Sequence, residues 1–198
     1  MSTTENLQDA FAGESQANRK YLAFAKKAER DGYPQVAKLF RAAAEAETVH
    51  AHAHFRVMGG IKDTAANLLT AIDGEGFEFQ EMYPGYVAEA EAEGNKAAAY
   101  SFKNALAVEE THHDLYTQAL EAVKAGKDLS ETQIFVCPVC GHTVLGEPPD
   151  KCPVCGALKA KFFEGAVDIV HYNGEEYHDL GELVIAKFQI AGFVIFYI

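Results

Sequence analysis

Two Glu-x-x-His pairs, Glu47 with His50 and Glu109 with His112, constrain what this chain can fold into more than any other feature. On a helix, that spacing puts a carboxylate and an imidazole on one face, one turn apart. The first pair lies in the run from Gln35 to Val57. There Val36, Phe40, Ala43, Glu47, His50, His54 and Val57 recur every three or four residues and predict the inward stripe of an amphipathic helix. Glu47 is therefore expected to point at the core, and no Lys or Arg shares its stripe. A lone buried carboxylate costs several kcal/mol, so the stripe needs a cation from elsewhere. Two such pairs, with single glutamates from two further helices, are the ligand set of a carboxylate-bridged di-metal site. The expectation is a bundle of four helices organised around two metal ions.

The other helices are legible by the same periodicity. From Glu5 to Arg30, Leu7, Phe11, Glu14, Asn18, Tyr21, Ala25 and Ala28 form one stripe, which makes Glu14 a candidate ligand. Asp31-Gly32-Tyr33-Pro34 ends this helix and starts the next, which runs to Met58 before Gly59-Gly60 stops it. A third helix is expected after a cap at Asp63 or Thr64 and as far as about Glu93. Its inward residues are Leu68, Ile72, Glu75, Phe79, Met82 and Tyr86, with Glu75 and Glu78 one turn apart. Pro84 lies inside it, cannot donate to the carbonyl of Gln80, and predicts a bend just beyond Glu78. Gly94 separates a fourth helix that carries Phe102, Leu106, Glu109, Tyr116, Leu120 and Val123 on one face until Gly126. Glu110 with His113 is an alternative second pair, but it leaves the stripe of Leu106. His52, His54 and His113 read as surface residues or as neighbours of the ligands. Tyr21 follows Glu14 by two turns and Tyr83 follows Glu78 by five positions, spacings that suit ordinary core tyrosines and hydroxyls reaching a metal cavity equally well.

Residues 1–126 thus form a helical domain, and the polar stretch 127–132 is a linker. Residues 133–165 contain all four cysteines, in Cys137-Pro-Val-Cys140-Gly and Cys152-Pro-Val-Cys155-Gly. Paired Cys-x-x-Cys turns in a reducing compartment signal a four-thiolate metal site rather than disulfides. The spacing is shared by structural zinc ribbons and by single-iron electron carriers. Residues 166–198 read as a β-rich tail: Val167 to Tyr172, an Asn173-Gly174 turn, then an apolar run from Leu183 to Ile198. That run is too short, and too interrupted by Lys187 and Gln189, to cross a membrane. The tail carries no functional reading.

Composition narrows the function classes. A formal charge of −12 and a pI near 5.1 leave no basic footprint for nucleic acid or an anionic membrane. The start, Met-Ser-Thr-Thr-Glu, lacks a basic and apolar leader, so a cytoplasmic protein is expected. Iron or manganese suits mixed carboxylate and imidazole ligands better than zinc does.

The chain resembles the rubrerythrin family through Ala12-Gly13-Glu14-Ser15, Glu47-Thr-Val-His50, Gly74-Glu75-Gly-Phe-Glu78, Met82-Tyr83-Pro84, Glu109-Glu-Thr-His112 and both Cys-Pro-Val-Cys-Gly knuckles. The resemblance covers about Thr4 to Phe163. It implies a mainly α protein, with a ferritin-like four-helix bundle holding a non-haem di-iron site, followed by a small rubredoxin-like β domain holding one iron. Carried over by position, Glu14, Glu47, Glu75, Glu78, Glu109 and His112 resemble the di-iron ligands. His50 matches a histidine that exchanges with the Glu78 position on redox change, and Tyr21 and Tyr83 match tyrosines that line the peroxide pocket. Cys137, Cys140, Cys152 and Cys155 are the implied ligands of the single iron. The implied activity is reduction of hydrogen peroxide to water in oxidative-stress defence. Electrons would pass through the four-cysteine iron from a separate NADH-linked reductase or a rubredoxin, and no organic cofactor is added. Two other classes compete: an iron-oxidising storage protein, and an interaction protein with two structural zinc sites.

The link between the second and third helices, Gly59 to Asp63, spans about 20 Å even when extended, whereas helices of about 25 residues are nearly 40 Å long. A ferritin-like connection runs the length of the bundle, so the sequence predicts a homodimer in which helices one and two of one chain complete the site with helices three and four of another. An all-antiparallel bundle within one chain is the competing arrangement.

Overall fold

Every helix boundary in the computed structural model has a local cause in the sequence. The structure describes residues 2–165, together with the backbone of 170–172 and 175–177. Helix α1 (Thr3–Arg30) opens on a capping box: Ser2 Oγ accepts from the Glu5 amide while the Glu5 carboxylate accepts from the Ser2 amide. Helix α2 (Pro34–Val57) starts on the proline whose missing N–H is no loss at that position. Asp63 Oδ1 accepts from the Ala66 amide and caps α3 (Thr64–Phe77), as expected. Asn95 does the same for α5 (Lys96–Lys124) through the Ala98 amide. Four helical segments close on Gly32, Gly59, Gly94 and Gly126. Each glycine has positive φ, and the next residue's amide bonds a carbonyl five positions back, for example Tyr33 to Ala28.

The expected third helix is not one continuous α-helix. After α3 the chain makes a π-helical turn at Glu78–Met82 and resumes as α4 (Tyr83–Ala92). The irregularity sits where Pro84 predicts a bend, and the wider turn accounts for it. Pro84 has no N–H for the Gln80 carbonyl, and the Tyr83 amide instead bonds the carbonyl of Glu78, five residues back. The extra residue re-aims the side chains that follow Glu78.

The chain divides into two compact units, Met1–Asn67 and Leu68–Ile198. In the first, α1 and α2 pack along a seam of small residues: Asn18, Ala25 and Ala28 from α1, and Ala37, Ala44 and Ala51 from α2. The α1 seam follows the predicted stripe. On α2 the seam is turned by one residue from Val36 and Ala43, because alanines seven apart let the two backbones approach closely. Val36 and Val57, expected inward, are exposed. Glu47 and His50 therefore flank the seam instead of lying in it. Phe11 stacks on Phe55 at 4.9 Å near one end of the hairpin.

In the second unit, Ala90, Ala99, Val108 and Leu120 are the buried apolar residues of α4 and α5. A small antiparallel sheet follows: β1 (Ile134–Val136) lies between β2 (Thr143–Leu145) and β3 (Phe163–Glu164), with Val136 opposite Thr143 and Phe163. Strands β4 (Val170–Tyr172) and β5 (Glu175–Tyr177) pair antiparallel; β4 falls within the expected strand from Val167, whereas β5 is not among the expected strands. The Asn173-Gly174 turn between them, Val167, and the run Leu183 to Ile198 lie outside the described residues. Among the described residues, no helix is long and apolar enough to cross a membrane.

The seam makes a direct prediction. Ala44 is fully buried while Ala42 is exposed, so Ala44→Leu should lower stability by about 1–3 kcal/mol through overpacking. Ala42→Leu should stay within about 0.5 kcal/mol of the parent. Urea midpoints of the two variants measure the difference.

Candidate metal centres

In the helical hairpin, α1 presents Glu14 and α2 presents Glu47 and His50, with one ligand atom from each within 4.8 Å of the others. His50 Nδ1 lies 3.0 Å from Glu47 Oε2 and 3.9 Å from Glu14 Oε1. Asn18 fixes the two helices beside this cluster. Its Nδ2 donates to the Ala44 carbonyl and to Thr48 Oγ1, both at 2.8 Å, and its buried Oδ1 has no protein partner. Tyr21 packs with Phe24 and Phe40 in an aromatic group on the same pair of helices.

In the second unit, Glu75 from α3 meets Glu109 and His112 from α5, again with ligand atoms within 4.8 Å. Glu109 Oε2 is 2.9 Å from His112 Nδ1. Glu110 is exposed, and His113 packs edge-on against Phe79 at 5.3 Å and reaches Asp114, so the alternative second pair is not assembled. Burial pushes the Glu75 carboxyl up to about 7, helped by the charge of Glu109 and by a hydrogen bond with it, while His112 opposes the shift. Glu78, the first residue of the π turn, lies outside the three-residue cluster but feels it. Burial and Glu109 raise its carboxyl, against the pull of His112.

Tyr83 and Tyr116 both face these acids. Burial raises both hydroxyls, with Glu78, Glu109 and Glu75 adding to Tyr83, and Glu75 and Glu109 adding to Tyr116. Tyr116 is the site neighbour that periodicity lists only as inward. It stands one turn beyond His112 and two beyond Glu109, which was the available signal. Carboxylates so crowded that one holds its proton to about neutral pH fit a divalent cation, which replaces the proton and offsets both charges.

The thiolate cluster is built by two equivalent knuckles. Gly141 and Gly156 follow the second cysteine of each knuckle at φ of 90° and 74°, where a Cβ would be strained. Their amides bond the carbonyls of Cys137 and Cys152, each at 2.9 Å. Sγ of Cys137 and Cys155 are 3.5 Å apart, and those of Cys140 and Cys152 are 3.6 Å apart. A tetrahedron with metal–sulfur bonds of about 2.3 Å has edges of roughly 3.8 Å, so the four sulfurs fit one ion. Burial raises the Cys137 thiol, but the amides of Cys140 and Val139 and the neighbouring thiols outweigh it and bring it down to about 7. Cys140 and Cys155 are shifted upward, burial first. One thiol that ionises easily beside others that resist is the state a cation would resolve.

Helix-borne carboxylate–histidine clusters, with a four-thiolate module appended, define a ferritin-like protein carrying a rubredoxin-like domain. The chain belongs to the rubrerythrin family: the family profile matches residues 5–120, and that of the rubrerythrin rubredoxin-like domain matches residues 135–163. It is 36% identical to rubrerythrin-2 of Clostridium acetobutylicum, over 81% of this chain and 95% of that protein. It is 37% identical to nigerythrin of Nitratidesulfovibrio vulgaris, over 81% and 85%. Nigerythrin in its fully reduced, all-ferrous state aligns with a TM-score of 0.50 at 34% identity, covering 83% of this chain and 87% of that one. The ligand sets are those of a carboxylate-held iron pair and a rubredoxin-like iron.

Because the folded-state values of Glu75 and Glu78 lie above the ordinary carboxyl value of 4.5, the folded, metal-free chain binds more protons than the unfolded one between about 4.5 and about 7. Stability therefore falls as pH rises through that window. Urea midpoints of the chelator-treated protein should be lower at pH 7 than at pH 5, and Glu75→Gln should flatten the difference.

Proposed function

We propose that this protein is a non-haem di-iron peroxidase that reduces hydrogen peroxide to water and is re-reduced through its four-cysteine iron. The observation that carries the reading is the presence of both ligand types in one compact unit: the acid cluster of Glu75, Glu109 and His112, and the four converging thiols. Bound iron supplies the redox equivalents, one electron from each of two ferrous ions, for the balanced change H₂O₂ + 2 H⁺ + 2 e⁻ → 2 H₂O.

The chain's own residues supply the rest. Glu14, Glu47, Glu75, Glu78 and Glu109 balance the charge of the ions, and His50 and His112 complete the ligand set. Glu78 sits at the start of the π turn, where the helix departs from α geometry, which suits a ligand that trades places with His50. Tyr83 keeps its proton well above neutral pH because burial and three carboxylates disfavour its anion, so its hydroxyl stays a hydrogen-bond donor toward a peroxide oxygen. Tyr21 is assigned the same task from the hairpin. The four cysteines would hold the iron that takes electrons from an NADH-linked reductase or a rubredoxin, in the cytoplasm. Storage of iron without turnover needs no thiolate module, which favours the peroxidase over a ferritin-like store.

Cys152→Ser tests the division of labour. Reductase-driven peroxide consumption should disappear, while a chemically reduced sample still consumes peroxide once. Loss of both activities in equal measure argues against it.

The site is further proposed to form in a dimer, with Glu14, Glu47 and His50 of one chain meeting Glu75, Glu78, Glu109 and His112 of the other. The short link of residues 58–63 supports this, since a ferritin-like crossover must run the length of a helix. Co-expressed Glu47→Ala and Glu109→Ala chains should give mixed dimers with one intact site and about half the parental activity. Isolated mixed dimers with no recovered metal or activity would exclude the exchange.

A further inference from the structure

Thr143 belongs to the thiolate module, yet its hydroxyl touches a candidate ligand of the carboxylate site. His112 Nε2 lies 3.0 Å from Thr143 Oγ1, and Thr143 Oγ1 donates to the Gly141 carbonyl at 3.2 Å. With the hydroxyl proton committed to Gly141, Oγ1 is the acceptor and Nε2 carries the ring proton. Nδ1 faces Glu109, whose Oε2 is 2.9 Å away, a hydrogen bond whose proton a bound cation would displace while Nε2 keeps its own. The tautomer this contact selects is the one in which Nδ1 can hold a cation.

Thr143 is held from two sides. It opens β2 opposite Val136, and it follows the knuckle in which the Gly141 amide bonds the Cys137 carbonyl and the Cys137 amide bonds the His142 carbonyl. The knuckle rests on α5: a Cβ at Gly141 would lie 3.7 Å from Val108, and Thr111 Oγ1 is 3.5 Å from His142 Nδ1. The shape of a Cys-x-x-Cys turn depends on the metal that its thiolates share.

We propose that Thr143 is a positioning residue that fixes the ring and tautomer of His112, and that through it filling of the four-cysteine site tightens metal binding at the carboxylate site of the same chain. The coupling is reciprocal, so metal at the carboxylate site also tightens the four-cysteine site. The proposal rests on the metal-binding part of the function above and uses none of its redox chemistry.

The test uses the full chain with zinc, which is diamagnetic, in both kinds of site. In the parent, the His112 Nε2 proton should be visible in histidine-labelled NMR spectra and protected from solvent exchange. Thr143→Val keeps the shape and removes the hydroxyl. It should speed that exchange at least about tenfold and weaken zinc at the carboxylate site by about 10–100-fold in chelator competition, the range for loss of a ligand's hydrogen-bond partner. Zinc content of the four-cysteine site, unchanged, certifies that the module still folds. Thr143→Ser should restore both readouts. Emptying the four-cysteine site should weaken the carboxylate site in the parent and in Thr143→Ser, but not further in Thr143→Val. The proposal is overturned if Thr143→Val matches the parent in exchange and affinity, or if Thr143→Ser behaves like Thr143→Val. An iron-loaded parent that does not consume peroxide, with the zinc results as expected, removes the peroxidase reading and leaves the role of Thr143 standing.

Discussion

Clustered negative charge that, among the described residues, only histidines oppose at close range is the constraint on which this structure turns. Glu75 and Glu109 lie close together in a half-buried position, Glu78 feels the same charge, and the imidazole of His112 opposes the upward shift of Glu75 and Glu78. Burial first, and then the charge of Glu109, disfavour the Glu75 anion, which is why Glu75 holds its proton to about 7. A fold can keep such an arrangement only if the groups are rigidly held and a cation repays the cost. The rigid holding is visible: helix caps at Asp63 and Asn95 fix where α3 and α5 begin, and hence which residues of each share a face. On the other helix pair, the alanine seam sets the spacing of α1 and α2, and Asn18 ties them together between Glu14 and Glu47.

The two metal-binding chemistries are separated by ligand type as well as by position. Carboxylate and imidazole oxygens and nitrogens suit hard or borderline ions that change charge with little movement, and thiolates suit a softer site. The knuckles make the second site from backbone as much as from sulfur. Against burial, which raises it, the amide donors and thiols around Cys137 lower its thiol to about 7, while Cys140 and Cys155 are pushed upward. The same amides that shape the turn therefore prepare one ligand for binding, which ties local backbone conformation to metal affinity.

What was legible in the sequence was whatever depends on neighbours along the chain. Gly32, Gly59, Gly94 and Gly126 mark helix ends because the closing turn needs positive φ, and the two Glu-x-x-His pairs assemble because three residues make almost one turn. The seam on α2 lies one residue from the hydropathy stripe because hydropathy ranks Val36 above Ala37, whereas close packing favours the smaller side chain. The π turn was foreshadowed by Pro84 but not its form, since choosing between a kink and a widened turn depends on what the following side chains pack against. Tyr116 and Thr143 show the same limit: the first gains meaning from Glu75 on another helix, the second from a histidine 31 positions earlier.

The composition of the buried set gives metal a structural role as well. Among the described residues, the buried apolar positions are mostly alanine, joined by Val108, Leu120 and two of the cysteines, while Leu39, Val49, Phe77 and Tyr100 stand exposed. Burying an alanine removes far less apolar surface from water than burying a leucine or phenylalanine, so seams of this kind give good geometry and little hydrophobic free energy. A chain with that balance must draw stability from elsewhere, and ligands that are unfavourable without a cation turn metal binding into folding free energy. The crowded acids of the candidate site and the small residues of the seam are thus two sides of one design. Close, regular helix contacts sacrifice apolar burial to place charged groups within a few ångströms of each other, and the bound cation offsets the cost of both.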